Sequence, residues 1–144
     1  MTTEIERAQL ATWIDGEGYI GILRNHDKRY NKTYFNPRVA VYNTDPRAMD
    51  WLQARWGGVI TSLRKGDTKS KEVFMWLLPA ADIPATLTHI LPYLVLKREQ
   101  AQGLLDFYAG ITERAVSPAE WERRSDLQLL LLSLNRRGPI CATA

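Results

Sequence analysis

The chain has 144 residues, of which 45% are hydrophobic and 24% are charged, so it is long enough for one globular domain and is not a disordered polymer. A single cysteine, Cys141, excludes a disulfide scaffold and a four-thiol zinc site, and no apolar run approaches the roughly 20 residues of a membrane helix. The net charge of +3, with a pI of about 9.1, is only a weak indication of a nucleic-acid partner.

The first half of the chain predicts two units that each consist of a helix and a hairpin. Thr3 and Glu6 have the spacing of a capping box, and the helix that they begin ends at the glycine-flanked residues 15–18. Residues 19–25 and 34–43 are predicted as paired strands, because apolar and polar residues alternate in them. A second helix begins with a cap at Asp45, and residues 59–63 and 73–78 follow as a second hairpin.

The second half of the chain is predicted to be helical. A short helix contains Pro84 and ends near Pro92, and a longer helix carries an apolar stripe that includes Ala101 and Leu104. A last helix, at about 117–136, follows a capping box. Together the elements predict a single α+β domain over residues 1–144, with a core at about 3–112, in the order α-β-β-α-β-β-α and with an extra C-terminal helix. Its helices would cover one face of an antiparallel sheet and leave the other face open.

The basic residues concentrate in the two predicted hairpin tips. Residues 24–38 and 64–72 contain nine basic and three acidic residues, so these stretches carry +6 and the rest of the chain carries −3. Tyr30, Tyr34 and Phe35 lie within the first stretch. This combination is typical of a surface that binds a phosphate backbone. Two solvated hairpin tips explain the same charges equally well.

Two segments resemble patterns of one family. Residues 10–18, LATWIDGEG, resemble the signature of the LAGLIDADG homing endonucleases and match it literally at Leu10, Ala11, Ile14, Asp15 and Gly18. Residues 90–101 are similar to the L-x-P-[FY]-L-x-x-K-x-x-Q-A pattern of the single-motif members. The fold of that family is α-β-β-α-β-β-α. The resemblance implies a site-specific, intron-encoded endonuclease that hydrolyses double-stranded DNA at a long, near-palindromic target.

The resemblance also implies a metal site at the end of the motif. Glu17 matches the position that binds the divalent metal, and the carbonyl of Gly16 is a further ligand. We expect Mg²⁺, with Mn²⁺ or Ca²⁺ able to occupy the site, because hard cations prefer oxygen ligands. Without the resemblance, Glu17 is an ordinary acidic residue at a helix end. Asp15 is interpreted as structural, fixing the end of its helix and the backbone turn.

Three further residues are candidates for the catalytic site. Lys97 matches the lysine of the second pattern, and we expect its stem to pack on one helix stripe with Ala101 and its ammonium to stabilise negative charge. The alternative interpretation is that Lys97 is an ordinary solvated lysine. Asn43 resembles a polar position that holds the water network in the family. Arg47 is a candidate whose alternative is a surface residue in a first helical turn.

The open sheet face is the predicted surface for double-stranded DNA, with strands in the major groove and basic tips on phosphates. Side chains alternate along a strand, and we expect Ile20, Ile22, Val39 and Val41 to point inward. The residues that alternate with them then point outward. In the first two strands these are Tyr19, Gly21, Leu23, Asn25, Tyr34, Asn36, Arg38, Ala40 and Tyr42, and in the third strand they are Thr61, Leu63 and Lys65. The phosphate-binding residues at the tips are Lys28, Arg29, Lys32, Lys69 and Lys71. The orientation of Trp76 stays open.

The chain contains one motif, and cleavage of both DNA strands needs two active sites. We therefore expect a homodimer through the motif helix. Ala11, Thr12 and Gly16 are small enough for close approach there, and Trp13 is expected to point into its own core. Two alternatives remain: a maturase that binds intron RNA and assists splicing on the same fold, and a DNA-binding regulator without catalysis. We expect no membrane partner and an intracellular location, in a bacterial or phage cytoplasm or in an organelle.

Overall fold

The structure, a computed structural model, describes residues 2–111 and 116–136, so Cys141 and the predicted core end at residue 112 lie outside the described residues. The elements are α1 (Glu4–Glu17), β1 (Gly18–Asp27), β2 (Lys32–Asn43), α2 (Pro46–Trp56), β3 (Val59–Arg64), β4 (Val73–Leu77), α3 (Ile83–Ile90), α4 (Arg98–Ala109) and α5 (Pro118–Asn135). The short 3₁₀ turns Ala80–Asp82 and Leu91–Tyr93 flank α3. The predicted α+β class and the predicted order of elements are confirmed.

Helix α1 begins at the predicted capping box. The Thr3 hydroxyl accepts a hydrogen bond from the Glu6 backbone N–H at 3.1 Å, and the Glu6 carboxylate accepts one from the Thr3 N–H at 2.9 Å. These bonds satisfy two polar groups that a helix N-terminus leaves without intrahelical partners. One face of α1, with Leu10, Ala11 and Ile14, is completely buried in the core.

The four strands form one antiparallel sheet in the order β1-β2-β4-β3. Ile20 lies opposite Val39, and Val41 lies opposite Trp76, and all four side chains belong to the hydrophobic core. Because side chains alternate along a strand, the neighbours of these residues face the other way. We call this second side the open face.

Trp76 faces the core and not the open face. Its side chain is fully buried, and its indole N–H donates to the Gly57 carbonyl at 2.7 Å. Gly57 and Gly58 end α2 with positive φ angles of 67° and 91°, a conformation that other residues rarely adopt. The orientation of Trp76, which the sequence left open, is therefore inward, next to this turn.

Helix α5 packs against β1 and α4. The Arg123 guanidinium donates to the Asp106 carbonyl at 2.9 Å and to the Phe107 carbonyl at 3.0 Å, near the C-terminus of α4. The Asn135 amide donates to the Ile20 carbonyl at 2.9 Å. Since β1 is an edge strand, this bond and the helix beside it cover an edge that would otherwise be open to pairing.

Arg123→Met is expected to lower the free energy of unfolding by about 2 kcal/mol, because charged hydrogen bonds to two helix-end carbonyls are lost. Hydrogen bonds from Arg123 and then Arg124 lower the pKa of Glu120 from 4.5 to about 2. A lowered carboxyl pKa stabilises the fold above pH 4.5, and that stability is lost as the pH falls towards 2. Urea unfolding at pH 7 and pH 3 checks both effects, with the exposed Arg136→Met as control. Equal stability of Arg123→Met and wild type would contradict this role.

Candidate functional site

The carboxylate of Glu17 lies at the end of α1, next to the end of β2. Glu17 is exposed and is the last residue of the helix. The Asn43 side-chain amide donates a short hydrogen bond to Glu17 Oε2. The Asp45 backbone N–H donates to Asn43 Oδ1 at 2.8 Å, which fixes the orientation of the Asn43 amide. Two of the predicted site residues are thus in direct contact.

Arg47 is connected to this pair only through Asp45. Its guanidinium donates to the Asp45 carboxylate, with Nη2 at 2.7 Å from Oδ2, and its side chain is 90% exposed. Asp45 also caps α2, as predicted, by accepting the Arg47 backbone N–H at 2.9 Å. The hydrogen bonds from Arg47 lower the pKa of Asp45 to about 2. Asp45 therefore joins Asn43 to Arg47, a role that the sequence analysis missed because it treated Asp45 only as a helix cap.

Lys97 reaches the same end of α1 from the opposite side, although not from a helix stripe as predicted. It precedes α4 as the N-cap residue, with a non-helical φ of −111°. Its ammonium donates to the Asp15 main-chain carbonyl at 3.0 Å, and its side chain is half-buried. The predicted place of Lys97 on a stripe of α4 is corrected, because Lys97 precedes the helix and its ammonium is held by a polar contact to α1.

Asp15 makes structural contacts, but with a distant segment rather than with its own helix end. Its carboxylate accepts hydrogen bonds from the backbone N–H groups of Val95, Leu96 and Lys97, at 2.7, 3.1 and 3.0 Å. These contacts occupy both carboxylate oxygens. Asp15 is therefore engaged in joining α1 to the start of α4, which leaves Glu17 as the acidic side chain of this helix end that points to solvent.

The donor set at the end of α1 fits a hard divalent cation. Glu17 supplies an exposed carboxylate, and the carbonyl of Gly16 lies in the last turn, where helix carbonyls have no intrahelical donor. Within residues 2–111 and 116–136, no three His, Cys, Asp or Glu side chains are grouped so that they could hold a metal. Mg²⁺ is usually bound by one or two carboxylates and completes its shell with waters and substrate phosphates. The end of α1 is therefore compatible with Mg²⁺, whose other ligands would be waters and substrate phosphates.

The open face brings the outward residues of β1 and β2 together in pairs. Leu23 lies opposite Asn36, and Asn25 lies opposite Tyr34. Tyr42 and Thr61 lie opposite Met75, one from each neighbouring strand, so they share this face. The alternation of inward and outward residues therefore holds along both long strands.

Gly21 and Ala40 lie on the open face but are buried. Gly21 pairs with Arg38, and a Cβ at position 21 would lie 2.2 Å from the Tyr19 hydroxyl, so the Tyr19 ring lies over Gly21. Ala40, which pairs with Tyr19, has no exposed surface. Direct contact of Gly21 and Ala40 with a ligand, as predicted, is excluded in this conformation. Their small size instead makes room for Tyr19.

A β-bulge changes the outward set of β3. Ser62 pairs with Phe74 and Arg64 pairs with Val73, so one extra residue, Leu63, lies between them. Val73 is on the same side of β4 as Met75, and Arg64 therefore joins Thr61 on the open face. Lys65, predicted for this strand, lies beyond its end. Strict alternation could not predict Arg64, because a bulge has no clear sequence signal here.

The predicted phosphate-binding residues are exposed at the two hairpin tips. They are Lys28, Arg29, Lys32, Lys69 and Lys71, and Lys65 is exposed at the second tip beside them. The Lys32 ammonium lies 5.5 Å from the centre of the Tyr34 ring, and Arg29 pairs with Asp27 at 3.3 Å. Arg24 is different, because it lies on the other face, 5.4 Å from the ring of Trp121 on α5.

The exposed face of α1 is a shallow, mostly apolar groove of about 570 Å³. Ile5 is 72% exposed, and Ala8, Thr12, Trp13 and Gly16 line the groove with it. Trp13 is half-buried: it packs against the core but also lines this groove, so the expectation that it points into its own core holds only in part. Ala11, in contrast, is completely buried in its own core, so it cannot contribute to a contact at this face as predicted.

Comparison with known proteins identifies the fold. No protein-family model matches the chain, and no curated protein matches it by sequence. The homing endonuclease I-CvuI, in complex with the I-CreI target in the presence of Mg, superposes with a TM-score of 0.76 at 21% identity, over 94% of this chain and 85% of that chain. The archaeal intron-encoded homing endonuclease I-Vdi141I, complexed with DNA, superposes with a TM-score of 0.77 at 11% identity, over 94% and 87%. The chain has the LAGLIDADG homing-endonuclease fold.

A larger protein of the LAGLIDADG fold matches over less than half of its length. The LAGLIDADG homing endonuclease I-GzeII, in complex with its DNA target, superposes with a TM-score of 0.60 at 14% identity, over 89% of this chain and 43% of that chain. In the present LAGLIDADG fold, the motif residues lie along α1, with Asp15, Gly16 and Glu17 in its last turn. No helix in the described ranges is long and apolar enough to cross a membrane.

Gly21→Ala is expected to displace the Tyr19 ring from the open face, because the new Cβ needs the space of the hydroxyl. Burial raises the pKa of Tyr19 above its ordinary value of 10.0, and the displaced hydroxyl should titrate closer to that value. NMR titration of ¹³C-labelled tyrosine, assigned with Tyr19→Phe, measures the change. Gly16→Ala is the control, since nothing lies within 4 Å of its Cβ position. An unchanged Tyr19 pKa in Gly21→Ala would show that the ring does not lie over Gly21.

Proposed function

We propose that this protein is a site-specific endonuclease that cuts double-stranded DNA by metal-dependent hydrolysis of phosphodiester bonds. The observation that carries the proposal is the exposed Glu17 carboxylate, held by Asn43 at the point where α1 meets the sheet with its basic hairpin tips. Proteins of the same fold, I-CvuI, I-Vdi141I and I-GzeII, are homing endonucleases in complexes with DNA, which supports the assignment.

DNA is proposed to lie along the open face. The polar side chains of Asn25, Asn36, Arg38 and Arg64 would read base edges in the major groove, where each base pair presents a distinct pattern of donors and acceptors. The basic residues of the two tips would bind phosphates, which fixes the register of the protein on the duplex. In this arrangement the phosphates would lie at the two basic stretches, because these carry +6 and the rest of the chain carries −3.

In the proposed active site, Glu17 and the carbonyl of Gly16 would hold the divalent metal. When bound, such a metal would supply a water of lowered pKa and a positive charge beside the scissile phosphate. Asn43 fixes one carboxylate oxygen of Glu17 and leaves the other free to bind. Lys97 brings a positive charge to the same helix end, where it would stabilise the negative charge that develops on the phosphate. Arg47, exposed beside Asp45, would contact a neighbouring phosphate.

A homodimer through α1 is proposed, because one chain offers one such site and two strands must be cut. The exposed groove along α1, with Ile5, Ala8, Thr12 and Gly16, is apolar and has small residues at its centre, which favours close packing against its copy. Two-fold symmetry would bring the Glu17 residues of the two chains near each other and would require a near-palindromic target.

Glu17→Gln is expected to reduce the cleavage rate constant at least about 100-fold, because the amide keeps the shape and loses the charge that binds the metal. The substrate is a DNA duplex that the wild-type protein selects by binding, in Ca²⁺, from a randomised library. The affinity of Glu17→Gln for this duplex in Ca²⁺ should change little. Glu122→Gln, on the exposed side of α5, is the control and should cleave normally. Cleavage by Glu17→Gln at the wild-type rate would remove Glu17 from the site. Stimulated splicing of intron RNA would instead favour a maturase, and DNA binding without any cleavage would favour a regulator.

Replacing both Lys69 and Lys71 with alanine is expected to weaken binding to all duplexes alike. The slope of log K against log salt should decrease in magnitude by about 1.8, at about 0.9 for each lost phosphate contact.

Arg38→Ala should instead relax the preference at one base pair, a discrimination worth about 1–3 kcal/mol. Fluorescence anisotropy at several salt concentrations measures both effects. Arg24→Met is the control, because Arg24 belongs to the same basic stretch as Arg38 but faces α5, so this variant should keep the wild-type salt slope.

Thr12→Arg is expected to abolish the dimer and cleavage together, because two unpaired charges would be buried face to face. Thr88→Arg is a closely matched control. Both threonines are exposed on a helix, and both hydroxyls donate to the carbonyl four residues earlier, at 2.9 and 2.8 Å. Sedimentation velocity gives the mass. A wild-type monomer that cuts both strands at the same concentration would contradict the dimer.

A further inference from the structure

Two helix ends in this fold depart from the usual pattern of stabilising side chains: α1 lacks a basic residue in its last turn, and α4 has Glu99 in its first turn but lacks a side-chain N-cap. Helix α1 has no basic residue in its last turn and carries Asp15 and Glu17 there, although a helix C-terminus has partial negative charge. Helix α4 has Lys97 at its N-cap, with no side-chain capping bond, although this position favours Ser, Thr, Asp or Asn. Both sequences therefore violate a local preference, which often happens at functional sites.

The two ends supply each other with the missing groups. The Asp15 carboxylate accepts three successive backbone N–H groups, those of Val95, Leu96 and Lys97, just before α4. In return, the Lys97 ammonium donates to the Asp15 carbonyl near the end of α1. An anion thus lies at the start of α4 and a cation at the end of α1, which is the favourable arrangement at each helix end.

The segment that carries Lys97 has little else to hold it. Val95 is 78% exposed and Leu96 is 71% exposed, so their side chains do not anchor the backbone by packing. Leu94 on one side and Ala101 on the other are buried and fix the ends of the segment. Between these two anchors, the bonds to Asp15 determine the path of the chain.

We propose that Asp15 is a positioning residue that holds Lys97 at the end of α1, two residues away from Glu17. The carboxylate fixes the backbone of residues 95–97, and from there the Lys97 ammonium reaches the Asp15 carbonyl in the last turn of α1. The catalytic part of this inference rests on the proposed endonuclease function. The positioning of the segment by Asp15 does not, and it has a readout of its own.

The first experiment measures amide hydrogen exchange in the free protein. Asp15→Asn keeps the shape of the side chain and loses the charge, and the amides of residues 95–97 should exchange at least about 10-fold faster, while those of β1 and β2 stay protected. Asp50→Asn, exposed on α2, is the control and should change none of these amides. Unchanged exchange at residues 95–97 in Asp15→Asn would overturn the proposal, whether or not the protein cleaves DNA.

The second experiment separates positioning from stability. Asp15→Asn should lower the single-turnover cleavage rate about 10-fold without changing the affinity for DNA in Ca²⁺. In a Lys97→Met background, the same substitution should have no further effect, because Asp15 acts through Lys97. Independent, multiplying effects of the two substitutions would mean that Asp15 has only a general structural role. If wild type does not cleave any selected duplex, the proposed function fails, and the exchange experiment still decides the positioning.

Lys97→Met is the second variant for the exchange measurement, in case Asp15→Asn does not fold. It retains the Asp15 carboxylate and the three hydrogen bonds that this carboxylate accepts from backbone N–H groups. The amides of residues 95–97 should therefore stay protected within about twofold of wild type, although cleavage is slowed. A Lys97→Met protein whose segment 95–97 exchanges freely would show that the lysine holds the segment, and it would overturn the assignment to Asp15.

Discussion

The close approach of Gly18 to Ile14 and Ala40, where α1 passes into β1 without a connecting loop, is the contact on which the rest of the structure depends. A Cβ at position 18 would lie 2.5 Å from Ile14 Cα and 2.9 Å from the Ala40 carbonyl oxygen, so any larger residue would separate the helix from the sheet. Because the junction is this tight, the last turn of α1 lies against the end of β2. Glu17 is therefore within reach of Asn43, and the proposed site follows from the packing of the junction.

The two faces of α1 have opposite environments, and this difference organises the proposed assembly. Leu10, Ala11 and Ile14 are buried in the core of their own chain, whereas Ile5 and Thr12 are exposed. A helix that is apolar on more than one side is usually buried on more than one side. A second copy on the exposed side would cover the groove and would bring the Glu17 carboxylates of the two chains near each other.

The sequence predicted what depends on local patterns. The alternation of Ile20, Ile22, Val39 and Val41 defined the two faces of the sheet, because the side-chain period of a strand is two residues. The capping-box patterns at Thr3 and at Ser117 marked helix starts correctly, although at Ser117 only the bond from the Glu120 N–H to the hydroxyl forms. The family resemblance pointed to Glu17 and Asn43, and the structure brings their side chains into contact.

The features that the sequence could not predict depend on contacts between distant residues. Lys97 binds a residue 82 positions away, and no local pattern distinguishes that contact from a place on the α4 stripe. The bulge at Leu63 shifted the alternation of β3 by one residue, so Arg64 and not Lys65 follows Thr61 on the open face. Ala11 was assigned to the helix exterior because of its size, but its direction depends on where the sheet packs.

Anomalous diffraction from Mn²⁺, in crystals of the protein with its selected DNA duplex, tests the proposed role of Glu17 most directly. We expect a peak at the direct coordination distance of about 2.1 Å from the Glu17 carboxylate, with the carbonyl of Gly16 and a DNA phosphate oxygen as further ligands. A Mn²⁺ ion bound by Asp45 or by other side chains, with none at Glu17, would contradict the proposed site.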